Sequence, residues 1–166
     1  MNKKLSNRLT KDWTKTTELA YGYTGKVGRT GEQWLAEILK ERGYDVFDHE
    51  ESHQQQVQGI DLTINGLNLS RPYTIDVKSN IKDDGTFFIE VSEKGWLRNP
   101  QKISDCIWHV NPNTKQTARY SRKKMKTFIV NNLTNTNFIK NLKTGMLFAL
   151  NVNNIPVELN FIKVEM

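Results

Sequence analysis

The chain has 166 residues, 37% of them hydrophobic, and its 24 Lys and Arg against 18 Asp and Glu give a formal net charge of +6. Its pI is about 9.4 and its mean hydropathy -0.63. This is enough chain for one domain with a sizeable core. No stretch approaches the roughly 20 apolar residues of a membrane helix, and the charged start from Met1 to Arg8 is not followed by the apolar run of a signal peptide. The single cysteine, Cys106, excludes an intramolecular disulfide and suits a reducing compartment, so a cytoplasmic protein with no membrane association is expected.

Residues 1–29 carry Lys3, Lys4, Arg8, Lys11, Lys15, Lys26 and Arg29 against only Asp12 and Glu18, and read as a basic arm with Trp13, Tyr21 and Tyr23. Thr30 is placed to cap a helix over residues 32–42, with Trp34, Leu35, Ile38 and Leu39 on its apolar face and Gly43 at its end. Residues 44–47 read as a short strand, and the polar, Gln-rich segment 48–58 as a loop. Strands follow at 60–64, 73–77 and 86–91, punctuated by Asn65-Gly66 and by Lys82-Asp83-Asp84-Gly85, which predicts an antiparallel meander. A helical turn is expected within 92–98 and a buried strand over 105–110, with a turn at Asn111-Pro112-Asn113. A basic helix over 119–132 would place Tyr120, Met125, Phe128, Ile129 and Leu133 on one side. Strands at 146–152 and 157–164 complete the pattern. The order predicts an α+β fold, a central mixed β-sheet flanked by helices, in which the arm 1–29 precedes a domain spanning 30–166. Trp96, Trp108 and Cys106 read as core.

The chemistry concentrates in residues 59–78. Asp61 starts one apolar run, and Asp76 and Lys78 end the next. Residues i and i+2 of a strand share a face, so Asp76 and Lys78 project together while Ile75 and Val77 face the core. Hydrolysis of a phosphodiester needs a nucleophilic water and charge stabilisation at the phosphoryl oxygens. A divalent cation supplies both. Magnesium takes oxygen ligands and keeps several waters, so Asp61 and Asp76 suffice as protein ligands. An ammonium beside them, Lys78, stabilises charge developing on the phosphorane.

The pattern Asp61 … Asp76-Val77-Lys78, preceded by a helix that begins Gly31-Glu32, resembles the PD-(D/E)XK nuclease superfamily over about residues 30–130. The compact Holliday junction resolvases and phage endonucleases are the most similar members in size. The resemblance implies a restriction-endonuclease-like core of helix, three strands, helix and strand. It also implies a magnesium-dependent DNA endonuclease, with Mn2+ as a substitute ion. Asp61 and Asp76 would be metal ligands, Lys78 the charge stabiliser, and Glu32 the carboxylate of the first helix. Ile60 stands where the family often has proline, and Asp76 where many members have glutamate. Glu37 and Glu18 are alternatives to Glu32, Glu90 is expected to face solvent, and Ser79 and Asn80 are candidate contacts to substrate or water.

Phosphate contacts would carry the affinity for DNA. The basic run Lys115, Arg119, Arg122, Lys123, Lys124 and Lys126 is the candidate surface together with the arm, and Tyr120 is either a stacking or a core residue. No recognition module is evident, which favours structure-selective cutting, as of junction or branched DNA, or weakly selective cutting. Cutting two strands would call for a homodimer. Two other readings compete. One is a non-catalytic nucleic-acid-binding protein of the same fold. The other is a zinc peptidase, because His49-Glu50-Glu51-Ser52-His53 matches H-E-x-x-H. That motif needs a helix with an apolar wall, which its flanks do not signal, so a polar loop is expected there.

Overall fold

The computed structural model describes residues 28–66, 69–90, 97–135, 139–142, 145–155 and 159. The basic arm up to residue 27, most of the helical turn expected within 92–98 and most of the expected last strand lie outside them, as does Trp96. The described part is α+β. A mixed five-stranded sheet has the order β1 (Asp45–Asp48), β2 (Leu62–Asn65), β3 (Tyr73–Lys78), β5 (Cys106–Asn111), β6 (Gln116–Ser121), and a separate antiparallel sheet has the order β4 (Thr86–Glu90), β8 (Gly145–Asn151), β7 (Ile139–Leu142). Among the described residues, no helix is long and apolar enough to cross a membrane.

Helix α1 covers residues 28–41, so Thr30 lies within it and is not its cap. Its end is a Schellman turn. Gly43 takes φ 88°, its N–H reaches Lys40 O at 2.9 Å, and the Tyr44 N–H reaches Leu39 O at 3.1 Å. Strands β1 (Asp45–Asp48), β2 (Leu62–Asn65) and β3 (Tyr73–Lys78) form the antiparallel meander. The segment expected to be a loop holds a short helix, α2 (His53–Val57). The Ser52 hydroxyl caps it by accepting from Gln55 N.

The expected third strand of the meander is instead β4 (Thr86–Glu90), which leaves the main sheet and pairs with β8 (Gly145–Asn151). In the turn before it Gly85 takes φ 82° and Lys82 N donates to Thr86 O at 2.8 Å, and Phe87 and Ile89 of β4 pack with Ile107 and Phe148. The chain returns to pair β5 (Cys106–Asn111) parallel to β3, matching Ile75 with Cys106, Asp76 with Ile107, Val77 with Trp108 and Lys78 with His109.

The expected basic helix over 119–132 is corrected at its start. Residues 116–121 are strand β6 (Gln116–Ser121), antiparallel to β5, and α3 runs over Arg122–Asn131. Ala118 and Tyr120 alternate inward in strand fashion, and the Ser121 hydroxyl accepts from Lys124 N to cap the helix. A strand β7 (Ile139–Leu142), not expected from the sequence, lies beside β8.

Register sorts the side chains onto two faces. Ile75, Val77, Cys106, Trp108 and Val110 pack with Leu62, Ile64, and Leu35, Ala36 and Leu39 of α1. Ile107, Ala118 and Tyr120 pack on the other side with Phe87, Ile89, Phe148, Leu150, and Met125 and Ile129 of α3. Each of the Val, Leu, Ile, Phe and Met side chains among them is worth about 1.5–3 kcal/mol in removal from water. Asp76 and Lys78 alternate with Ile75 and Val77 and therefore belong to the second face.

Candidate active site

Asp61 follows the end of the β2–β3 ladder, whose last pair is Leu62 with Ile75, and lies close enough to Asp76 for that charge to act on it. Asp61 N donates to Ile75 O at 2.9 Å. The Asp61 carboxylate then takes over the end of the ladder, its Oδ2 accepting from Val77 N–H at 2.7 Å. Two residues earlier, Gly59 takes φ 66°, and a Cβ there would stand 3.3 Å from Asp76 Oδ2 and 2.8 Å from the Lys102 stem. A side chain at that point is excluded both by the backbone conformation and by the space.

Asp76 is 1% exposed and meets two cations. Lys78 Nζ lies 2.5 Å from Oδ1, and Arg122 Nη2 lies 2.5 Å from Oδ2. Among the described residues no directed hydrogen bond reaches Oδ1, and the contact with Lys78 is an ion pair. Lys78 is 28% exposed and opens the pair to solvent. Burial pushes the Asp61 carboxyl up to about 7, and the negative charge of Asp76 adds to it; the Val77 N–H and Lys78 pull the other way. A carboxyl held that high is one that burial deprives of solvation and that a second carboxylate crowds, while Lys78 and Arg122 balance the charge of Asp76. Two carboxylates meet the protein's share of a magnesium shell, so the residues fit such an ion. Among the described residues, no group of three or more His, Cys, Asp and Glu is placed to hold a metal, so the pair stands without a third ligand of those types.

Glu32 approaches from the other side. Gly31 lets α1 close on the end of β3, since a Cβ there would stand 1.9 Å from Ser79 Oγ. Glu32 raises Asp61 electrostatically, but its own carboxylate is held by Arg29 at 3.3 Å. Burial pushes Glu32 up and Arg29 opposes the shift. Arg29 also binds Asp48 at 2.8 Å and Glu50 at 2.7 Å, so one guanidinium gathers three carboxylates.

Behind Lys78, His109 is fully buried, its ring 4.3 Å from that of Phe87. Asn80 Nδ2 donates to Phe88 O at 3.1 Å, which directs Asn80 Oδ1 at His109 Nδ1. His109 Nε2 lies 2.6 Å from the Tyr120 hydroxyl. Burial, then the charge of Lys78, hold this imidazole well below its ordinary range, so it is neutral. Tyr120 is 0% exposed and is a core residue.

The expected DNA-contacting set divides. Lys123 and Lys124 are exposed on the first turn of α3, and Lys126 is partly buried one turn beyond Arg122. Lys115 is exposed at the β5–β6 turn with φ 55°. Arg119 lies over the Trp108 ring at 5.4 Å, on the α1 face of the sheet and away from Asp76. Arg122 is corrected outright. It is 4% exposed and belongs to the carboxylate pair, not to an outer basic surface. Glu90 is exposed, as expected.

Sequence reasoning missed Lys102 and Ser104 as well. Lys102 Nζ donates to Gln56 O at 3.0 Å. Its ammonium is pushed down chiefly by burial, with Asp76 and Asp61 opposing and Lys78 and Arg122 adding to the shift. Neither residue stands in a motif, and only the fold brings their loop to β3. The H-E-x-x-H helix does not form. His49 lies before α2 and shares a 2.7 Å hydrogen bond with Thr63 Oγ1, while His53 is exposed at the first position of α2. Compared with family models, curated proteins and solved structures, the chain gives no match.

Proposed function

We propose that the chain is a divalent-metal-dependent DNA endonuclease of the PD-(D/E)XK type. The observation that carries this reading is the crowded carboxylate pair, Asp61 beside Asp76, with Lys78 at its solvent end. Magnesium, or manganese in its place, would be held by Asp61 and Asp76 and would supply Lewis-acid stabilisation and a water of lowered pKa. Lys78 stands where an ammonium neutralises charge developing on a phosphoryl oxygen. His109 behind it is uncharged and does not compete for the same anion. Lys123 and Lys124, exposed at the start of α3 beside Arg122, are the phosphate contacts nearest this site in sequence. Glu32 supports the pair through its field, since Arg29 holds its carboxylate.

DNA with branches is the proposed substrate, a homodimer the proposed form for cutting two strands, and the cytoplasm, which suits the buried thiol of Cys106, the proposed location. A non-catalytic nucleic-acid-binding protein is favoured by one observation: Asp76 already has two cations beside it. Linear and four-way branched DNAs incubated with and without Mg2+ separate the two readings. The nuclease reading predicts Mg2+-dependent cleavage by the native chain and none by Asp76→Ala. Salt-sensitive binding without cleavage in Mg2+ or Mn2+ would falsify it.

A further inference from the structure

We propose that Arg122 is the positioning residue of the carboxylate pair: anchored on Ser104, its guanidinium turns Asp76 so that Oδ2 is closed off and Oδ1 faces the cation. The inference rests on the reading of Asp61 and Asp76 as a cation site. Arg122 is the first residue of α3, followed by Lys123 and Lys124, with no acid in the first turn. Cations at a helix N-terminus oppose the helix dipole, so the local sequence gives this arginine no reason to be there. It is nevertheless buried, which a guanidinium tolerates only when its donors are met. Nε and Nη2 both donate to Ser104 Oγ, at 2.9 and 2.8 Å, and Nη2 also donates to Asp76 Oδ2.

The anchor is itself fixed to the strand that carries Asp76. Arg122 N donates to Asp105 O at 3.1 Å, and Asp105 N donates to Thr74 O at 3.0 Å. The Asp105 carboxylate accepts from Thr74 N at 2.9 Å. Thr74, Asp105, Ser104, Arg122 and Asp76 are thus joined by hydrogen bonds and by the peptide bond between Ser104 and Asp105. Gly59 walls the same side, since a Cβ there would stand 3.3 Å from Oδ2. The other oxygen differs. Oδ1 is buried and ion-paired with Lys78, whose side chain reaches solvent, and among the described residues it has no directed hydrogen bond. A carboxylate tied by hydrogen bonds at one oxygen, and met at the other by an ammonium at the solvent edge, is oriented to offer that second oxygen to a cation.

The test is calorimetric titration of the full chain with Mn2+ alone, without DNA, on the native protein and on Asp76→Ala, Arg122→Gln, Arg122→Lys and Ser104→Ala. Thermal unfolding checks each fold. The native chain is expected to bind Mn2+ and Asp76→Ala to lose that binding. Arg122→Gln should weaken it by about 10–100-fold, the range for partners that orient a metal ligand. Arg122→Lys, which keeps the charge but not the fork, should recover part of the loss, and Ser104→Ala should weaken binding several-fold. If Arg122→Gln does not fold, Arg122→Lys and Ser104→Ala carry the comparison. Native affinity or tighter in the folded Arg122 and Ser104 variants, with binding lost in Asp76→Ala, would overturn the positioning role and leave the cation site standing. Native affinity in Asp76→Ala would overturn the cation site itself and this role with it.

Discussion

Two charge clusters of opposite make-up flank Asp61. Around Asp76, two cations converge on one carboxylate that is 1% exposed. Around Arg29, three carboxylates converge on one guanidinium that is 23% exposed, with Glu50 more than half exposed. Both are ion-pair clusters with contacts under 3.5 Å, and burial sets them apart. In the first cluster, removing a partner strands a charge where water cannot reach it. In the second, solvent screens whatever is left. Catalytic and structural consequences should therefore concentrate at Asp76 and fade towards Arg29.

The largest effect is expected from Asp76→Ala. Cleavage should fall below detection. Stability in urea should drop by about 3–5 kcal/mol, because Arg122 is left buried without its counter-charge. Lys78→Ala should follow, with cleavage down by on the order of 100- to 1,000-fold and a smaller loss in urea than Asp76→Ala, since Arg122 still faces the buried carboxylate. A large stability loss in Lys78→Ala would erase the distinction between the buried and open ends of the pair.

Asp61→Asn should abolish cleavage yet stabilise the fold at pH 8. The folded carboxyl is pushed up to about 7 from an ordinary value of 3.8. Between those values the native state keeps a proton that the unfolded chain has released. The stability tied to this group is therefore fully present below about pH 4 and is lost as pH rises through about 7. Every tenfold difference in proton affinity between the folded and unfolded carboxyl corresponds to about 1.4 kcal/mol. Melting temperatures of native and Asp61→Asn protein should thus diverge from pH 5 to pH 8, the variant gaining. Parallel curves would mean that Asp61 is not crowded. The smallest effect belongs to Arg29→Ala, expected to cost about 1 kcal/mol or less and to change cleavage by a few-fold through Glu32. A collapse of activity there would move the centre of the site towards α1.

How much of the fold and the site is legible in the sequence depends on how local the cause is. Asp76 and Lys78 can be paired from alternation alone, because a strand repeats every two residues and apolar Ile75 and Val77 mark the inward side. The β2–β3 pairing follows from two apolar runs with a turn signal between them. Strand β4 cannot be assigned to the second sheet, because its partner β8 lies far along the chain and nothing near residue 86 announces it. Strand β6 is hidden by charge. Arg119, Arg122 and the lysines that follow read as one basic helix, and only the inward alternation of Ala118 and Tyr120 tells the strand apart. The same run of charge places Arg122 on the surface. Its neighbours in sequence are exposed lysines, whereas its neighbours in space are Ser104 and Asp76. The H-E-x-x-H spelling fails for the converse reason, since the spacing is right and the helix starts too late to use it.

The central claim is that Asp61 and Asp76 together seat a hard divalent cation. A crystal of the native chain soaked in Mn2+ and measured for anomalous scattering tests it most directly. One strong peak is expected at about 2 Å from carboxylate oxygens of both residues, on the Lys78 side of Asp76. A peak held instead by Asp48 and Glu50 near Arg29, or an empty map at Asp76 with the ion bound elsewhere, would contradict it.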